Sequence, residues 1–326
     1  MSAAMIGKTL SFVAHKSGTA LAQLFVVATI VFSFMHILPG DPVMLLLGQE
    51  SNPDPAAVVA MRHQLGLDQP IFTQYADWLV RLAHFDFGTS ITGSYPVLDS
   101  LRDSLPRTLE LALASILVAT VIGVPLGMIA AIRRGTWIDA ALTALATMGI
   151  SLPVYVLGSI FIVVFSLELG WLPSSGYTDM SRNAVEHFRK LALPSLTLGL
   201  GLAASIARMT RSSVLEIMER DFVRALRAKG MPERRVIWRH VLRNAAIPVV
   251  TIIGLQLGNL MGGTVLVEAL FNWPGLSTLL VEAVGHRNYP MVQGCVVTIA
   301  ALFIVINLGV EILYGLLDPR IRRRKS

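Results

Sequence analysis

Apolar residues along this chain are concentrated in six long runs, which polar segments of very unequal length separate. A helix needs about 20 largely uncharged residues to cross roughly 30 Å of hydrocarbon, and the runs match or approach that length. The predicted membrane spans are residues 17–37, 108–132, 140–167, 191–207, 245–270 and 291–317. The pattern therefore predicts an all-α, polytopic membrane protein with six transmembrane helices.

The segments outside the spans complete the predicted organisation. Residues 1–16 precede the first helix, residues 38–107 form a long polar loop, residues 108–317 hold the other five helices, and 318–326 form a basic tail. The first run ends without a small-residue cleavage site, so we expect a retained helix and not a signal peptide. Pro125 and Pro153 are expected to kink the second and third spans.

Composition and charge agree with a membrane protein and suggest its orientation. The chain is 54% hydrophobic and only 15% charged, with a mean hydropathy of +0.63. An N-terminus in the cytoplasm would place 19 of the 27 lysines and arginines on the cytoplasmic side, as the positive-inside rule requires. Both termini and the loop 212–244 are then cytoplasmic, and 38–107 is extracytoplasmic. The net charge of +6 thus serves orientation and contact with anionic lipid, and argues against nucleic-acid binding.

Motifs for catalysis or metal binding are missing from the sequence. No HExxH or GxSxG pattern occurs, and Gly7-Lys8-Thr9 lacks the upstream glycine of a phosphate-binding loop. The seven histidines show no zinc-ligand spacing, and the lone Cys295 is predicted to be a small core residue. We therefore expect neither enzymatic activity nor a metal site in this chain.

Two acidic residues within the predicted spans, Glu110 and Glu311, lie within two turns of a helix end. A charge in hydrocarbon costs at least about 2.5 kcal/mol, so each is expected to reach the interface or to pair, Glu110 with Arg107. No acid or base is predicted near the middle of a span, which disfavours a proton- or sodium-driven carrier.

Glycines and polar residues alternate in the fifth predicted span. Gly254, Gly258 and Gly262 recur every fourth residue, which favours close helix packing along one face. The polar residues of the same run are Gln256, Asn259 and Thr264. They are candidates for the wall of a polar pathway, and hydrogen bonding across a helix interface is the alternative.

The polar loop between the fourth and fifth spans has helical periodicity on each side of Gly230-Met231-Pro232. Glycine commonly ends a helix and proline commonly follows, so the loop predicts two short amphipathic helices. Their apolar residues Phe222, Leu226, Ile237 and Trp238 are expected to be exposed or half-buried. Such a surface fits a protein partner, with lipid headgroups as the alternative.

This loop resembles the EAA loop of binding-protein-dependent ABC importer permeases. The corresponding residues are Arg224-Ala225-Leu226 and Gly230, and the glutamate that gives the motif its name is replaced by Arg224. Arg227-Ala228-Lys229-Gly230, followed by His240-Val241-Leu242-Arg243-Asn244-Ala245 and Pro248, is similar to the peptide and nickel branch of these permeases. The resemblance implies that the segment from Arg224 through Met231 and Pro232 couples to an ATPase.

The likeness to dipeptide-permease B-type subunits extends over essentially the whole chain. The motifs that carry it are Leu38-Pro39-Gly40-Asp41-Pro42, Leu65-Gly66-Leu67-Asp68, Asp86-Phe87-Gly88, Arg208-Met209-Thr210-Arg211, Phe271-Asn272-Trp273-Pro274-Gly275-Leu276 and Asp318-Pro319-Arg320-Ile321-Arg322. Residues Phe271 to Gly275 follow the fifth span and are the candidate extracytoplasmic gate or binding-protein contact.

The resemblance implies the type I ABC importer permease (MetI-like) fold in the bacterial cytoplasmic membrane. The expected partners are a second homologous permease, of the dipeptide-permease C type, two cytoplasmic ATPases of the dipeptide-permease type and an extracytoplasmic peptide-binding protein. No cofactor is expected in this chain, because ATP and magnesium would be bound by the ATPases. Short peptides are the leading cargo, glutathione or nickel is the alternative, and a secondary transporter or channel is the competing class.

Overall fold

The computed structural model describes residues 3–37, 55–64, 68–93 and 95–317, and these are overwhelmingly helical. The helices are α1 (Ala3–Ile37), α2 (Pro55–Gln64), α3 (Ile71–Ala83), α4 (Val97–Ile132), α5 (Trp137–Ser151), α6 (Val154–Phe161), α7 (Ala184–Met218), α8 (Asp221–Ala228), α9 (Glu233–Arg235), α10 (Leu242–Gly263), α11 (Val265–Leu270), α12 (Leu276–Gly285) and α13 (Tyr289–Leu317). Two segments continue their helices with π-type hydrogen bonds, Ile162–Glu168 after α6 and Val236–Val241 after α9. The predicted tail 318–326 and the motifs at 38–42 and 65–67 lie outside the described residues.

Five described helices are long and apolar enough to cross a membrane, and a sixth candidate is the bent pair α5 and α6. This supports the six predicted crossings. The second begins earlier than predicted, because α4 starts at Val97 and not near 108. It continues without a break through Pro125, and the kink at that proline stays a prediction.

The third predicted span, 140–167, is not one continuous helix. The chain bends by 102° between α5 and α6, at Leu152 and Pro153. Proline has no N–H to continue the α5 hydrogen-bond ladder and disfavours helical backbone in the residue before it, so the predicted kink is a full break. The fifth predicted span is also interrupted, because α10 ends at Gly263 and α11 begins at Val265.

The chain divides into two compact units, one formed by residues 1–106 and 275–304 and the other by 107–274 and 305–326. In the first unit, α1 and α3 are joined by a hydrogen bond of 2.6 Å between the hydroxyls of Thr29 and Tyr75. A second polar link in this unit is the Asn288 side chain, which donates to Ser90 Oγ at 2.7 Å. The apolar core of the unit consists of Val97, Leu101, Leu276, Ala283, Met291, Val292 and Cys295. Cys295 is fully buried, as predicted.

Close helix contacts at glycine organise the second unit. A Cβ on Gly123 of α4 would lie 2.6 Å from the Ala203 carbonyl oxygen of α7, so only glycine permits this approach. Gly158 of α6 is similarly close to Leu270. Together these contacts hold α4, α6 and α11 around α7, the most buried of the long helices described in this unit.

Candidate functional site

The predicted pair of short amphipathic helices between α7 and α10 is present, with glycine and proline at the turn between them as predicted. Helix α8 ends at Ala228, Gly230 has a φ of +76°, and Pro232 caps α9. The turn is closed by hydrogen bonds from Gly230 N to Arg227 O (2.9 Å) and from Met231 N to Leu226 O (3.2 Å). Glycine adopts this left-handed backbone without steric cost, which explains its position here.

An ion pair joins the two sides of this turn. Arg227 donates from Nη2 to Glu233 Oε1 at 2.6 Å and from Nε to Oε2 at 3.1 Å. These hydrogen bonds to the carboxylate raise the pKa of Arg227 above its ordinary value. Both side chains are partly exposed, so the pair orients the turn more than it stabilises the fold.

The inner face of the pair packs on the ends of the long helices. The buried cluster there contains Ala131, Val214, Ile217, Val223, Val236, Val241 and Ala245. Phe222 (39% exposed) and Trp238 (59% exposed) face outward, and Leu226 is half-buried, as predicted. The prediction for Ile237 is wrong, because its side chain is only 8% exposed. Helical spacing identified the apolar positions but could not show which of them meet α7 and α10.

The outward side of α8 and the turn presents the motif residues. Arg224, Ala225, Ala228, Lys229, Gly230 and Pro232 are exposed, whereas Leu226 and Met231 are half-buried. Arg224 stands where the motif has glutamate, so this surface is basic and not acidic. Only two residues separate α7 from α8, and the π-helical segment after α9 continues directly into α10. A displacement of α8 would therefore be passed to two long helices.

A second polar anchor, between α5 and α7, was not predicted. Asp139 accepts hydrogen bonds from Arg211 Nε (2.7 Å) and Nη2 (2.8 Å), and its Oδ2 also accepts from Gly135 N (3.1 Å). At the surface, Arg134 forms an ion pair of 2.6 Å with Glu219, the residue that ends α7. The sequence signal was the Arg208-Met209-Thr210-Arg211 motif, which gave no information on the acidic partner.

The candidate pathway residues differ in exposure. Asn259 is exposed and donates to Gln256 Oε1 at 3.2 Å, so the two amides form one polar patch on α10. Thr264 is fully buried at the junction with α11, where its carbonyl oxygen accepts from Glu268 N at 2.8 Å. The pathway hypothesis consequently rests on Gln256 and Asn259.

The glycine face of α10 packs against α13 at two of its three positions. A Cβ on Gly254 would lie 2.6 Å from Val310 Cγ2, and one on Gly258 would lie 2.8 Å from Asn307 Oδ1. Gly262 has nothing within 4 Å of that position. A close approach of a neighbouring backbone was expected at these glycines. The atoms nearest to Gly254 and Gly258 belong instead to side chains of α13.

Within 271–275, the candidate gate is largely an internal anchor. Phe271 and Trp273 are 1% and 0% exposed, and Trp273 Nε1 donates to the Arg107 carbonyl at 3.0 Å. The Trp273 ring also makes an edge contact with Tyr177, with ring centroids 5.0 Å apart. Asn272, with a φ of +49°, is exposed, whereas Pro274 is half-buried and Gly275 is buried. Of these residues, Asn272 is the one available to a partner.

Two acidic side chains, the half-buried Glu110 and the fully buried Glu268, make polar contacts in the same region. The Glu110 carboxylate lies 2.6 Å from His187 Nε2, so its partner is His187 and not Arg107 as predicted. The Arg107 guanidinium instead lies 4.9 Å from the Tyr177 ring centroid. Sequence reasoning also overlooked Glu268, which is fully buried in α11 and accepts from Thr108 Oγ1 at 2.9 Å. Burial raises the pKa of Tyr177, and the nearby Glu110 carboxylate raises it further, whereas the Arg107 guanidinium acts in the opposite direction.

The described residues contain no group of three or more histidines, cysteines or acids that could hold a metal ion. What they do contain is a set of long apolar helices, an amphipathic pair that joins two of these helices, and polar side chains within helices long enough to span a membrane. This combination defines a multi-span membrane transport component with a surface for a partner.

Comparison with known proteins gives the family. The chain belongs to the binding-protein-dependent transport system inner membrane component family, whose model matches residues 123–323, and the corresponding N-terminal family model matches 9–112. It is 42% identical to the glutathione transport system permease protein GsiC of Escherichia coli strain K12, over 96% of this chain and 99% of that one. GsiC of Salmonella choleraesuis strain SC-B67 is 41% identical over the same shares. The protein is therefore a permease of a binding-protein-dependent ABC importer.

A solved structure shows the same fold. A chain of the MetNI methionine ABC transporter, in an inward-facing conformation, matches with a TM-score of 0.56 at 21% identity. The match covers 67% of this chain and 96% of that chain. The MetI-like permease fold expected from the sequence is thus confirmed.

Proposed function

We propose that this chain is the translocating subunit for short peptides, with glutathione, itself a small peptide, as the first cargo to test. The observation that supports this choice is the 42% identity, over almost the full length, to permeases named for glutathione transport. The described residues also contain no cluster of metal ligands, which gives a bare metal cargo no relay in this part of the chain.

The proposed complex contains a second homologous permease, two ATPases that bind ATP and magnesium, and an extracytoplasmic peptide-binding protein. The surface that supports the ATPase contact is the outward side of α8 and its turn. Phe222 and Ala225 are exposed there on a helix whose other side is already packed. Exposed aromatic and small residues at the end of a packed helix suit insertion into a groove of a partner.

The proposed orientation places both termini and α8 in the cytoplasm, with α3 outside. The distribution of lysine and arginine supports it, since the segment from Arg208 to Arg243 alone carries ten of them. Cargo would then enter on the side of the binding protein and leave on the side of the ATPases.

The deciding experiment measures uptake by the purified complex in proteoliposomes. The vesicles contain ATP, and the binding protein is added to the external solution. We expect ATP-dependent accumulation of labelled glutathione or of di- and tripeptides, and none when the ATPase subunits are catalytically inactive. Accumulation of nickel without peptides would overturn the cargo assignment. Transport that persists without the ATPases would instead indicate a secondary transporter.

A further inference from the structure

A cavity of about 300 Å³ lies between α4, α5 and α7, apart from the coupling segment and the candidate pathway residues. Its wall is almost wholly apolar and includes Leu126, Leu142 and Leu200. Arg208 and Arg211 of α7 also line it. The cavity therefore combines an apolar interior with two guanidinium groups. The helices that line it are the candidate spans α4 and α7 and the first half of the bent pair, α5.

Small residues on all three helices create this space. A Cβ on Gly149 of α5 would lie 3.3 Å from Ala204 Cβ, and Gly127 of α4 contacts the Ala207 carbonyl. The helix backbones are thus close to one another at these glycines. Because the glycines have no side chains, the cavity beside them stays open. An apolar ligand in this space would gain dispersion contacts with the side chains that line it.

The charge of the cavity comes from Arg208. Arg211 makes two hydrogen bonds to Asp139, and this pair is neutral overall. Arg208 lies three residues earlier on α7, is exposed, and forms no ion pair with any residue in the described part of the chain. The lining therefore has one positive charge that no described residue compensates.

We propose that this cavity binds an anionic phospholipid, with one acyl chain in the apolar interior and the headgroup phosphate on Arg208. The ligand must have an apolar tail and an anionic head, and the bilayer supplies such molecules at high local concentration. Arginine holds phosphate by two parallel hydrogen bonds, and basic pockets between membrane helices are suited to acidic headgroups. A translocated peptide fits less well, because an apolar wall leaves its backbone polar groups unsatisfied.

The test is native mass spectrometry of the complete complex purified with phosphatidylglycerol. We expect Arg208→Gln to lower the affinity for phosphatidylglycerol about tenfold, which corresponds to the loss of one charge-assisted interaction. Arg133→Gln is the matched control, because Arg133 is exposed and does not line the cavity. The control should bind phosphatidylglycerol as the unmodified complex does, and Arg208→Lys should retain most of the affinity.

A second variant tests the apolar half of the site without changing charge. Ala146→Phe should fill the cavity from α5 and reduce phosphatidylglycerol binding by a similar factor, with Arg208 intact. The proposal is overturned if both Arg208→Gln and Ala146→Phe bind the lipid normally, or if uncharged phosphatidylcholine is retained equally well. Displacement of the bound lipid by glutathione or a dipeptide would also overturn it, and would reassign the cavity to the cargo.

Discussion

Asp139 and Arg211, 72 residues apart in the sequence, form a two-pronged ion pair that joins α5 to α7. The Asp139 side chain is only 9% exposed and that of Arg211 is 30% exposed. Each partner offsets a charge that would otherwise be costly at the end of an apolar helix. The pair therefore gives the first turn of α5 a polar tie to α7.

We expect Asp139→Asn to destabilise the subunit by about 1–3 kcal/mol, because it leaves the Arg211 charge without a partner. Arg211→Gln should have a similar effect. The double variant should be less destabilised than the sum of the two, since no single charge remains. The measurement is the thermal midpoint of the purified complex, and strictly additive losses would show that the two residues do not interact.

Much of this fold could be predicted from the sequence, because apolar runs and the glycine and proline residues that end helices act through their immediate neighbours in the chain. The six apolar runs and the Gly230-Met231-Pro232 turn required no knowledge of neighbours. Partner choice is not local: Glu110 has Arg107 three residues away, yet it pairs with His187, 77 residues away. Burial within the amphipathic pair depended equally on distant helices, which is why Ile237 was assigned to the wrong side.

The proposed orientation predicts opposite labelling of two exposed positions. In a Cys295→Ala background, Thr73→Cys of α3 should react with a membrane-impermeant maleimide in intact cells. Arg133→Cys, just after the end of α4 and outside the proposed ATPase contact, should react only after the membrane is opened. Both side chains are exposed in the structure, so lack of access within the subunit would not confuse the result. The reverse order of reaction would invert the topology.

The pathway hypothesis predicts that the amide patch on α10 meets water during transport. Gln256→Cys and Asn259→Cys should react with small aqueous thiol reagents in at least one transport state, because polar groups at membrane depth require water or a partner. Leu260→Cys, buried at 3% exposure, serves as the unreactive control. If 256 and 259 stay as unreactive as 260 with ATP, with vanadate and without nucleotide, the patch is not part of the conduit wall.

Trp273 should contribute to stability more than to recognition. Trp273→Ala removes a fully buried indole and is expected to cost about 3–5 kcal/mol. Trp273→Phe keeps much of the volume but removes the indole N–H that donates to the Arg107 carbonyl, for a loss of about 0.5–1.5 kcal/mol. Asn272→Gly, which removes the exposed side chain and accepts the left-handed backbone at this position, should leave the thermal midpoint nearly unchanged. If the binding protein stimulates transport less in the Asn272 variant, Asn272 is the residue of segment 271–275 that contacts the binding protein.

The last prediction concerns Gly230 and the entry of ATP-driven motion. A Cβ at this position meets nothing within 4 Å, so beyond the backbone strain of its positive φ the effect of Gly230→Trp should arise at the proposed ATPase contact. We expect the variant to insert normally but to lose ATPase association, or to hydrolyse ATP with little uptake. Measurements of assembly, ATP hydrolysis and uptake in the same vesicles separate these results.

The chain supplies a close control for the backbone cost of this substitution. Gly135 has nearly the same conformation, with a φ of +77° against +76°, and its Cβ position is also open. Gly135→Trp therefore introduces the same left-handed strain, about 1 kcal/mol, in a different turn. If Gly230 acts through a docked ATPase, Gly135→Trp should retain uptake whereas Gly230→Trp should not. Equal losses would reduce the Gly230 effect to backbone strain, and normal transport by Gly230→Trp would remove α8 from the coupling route.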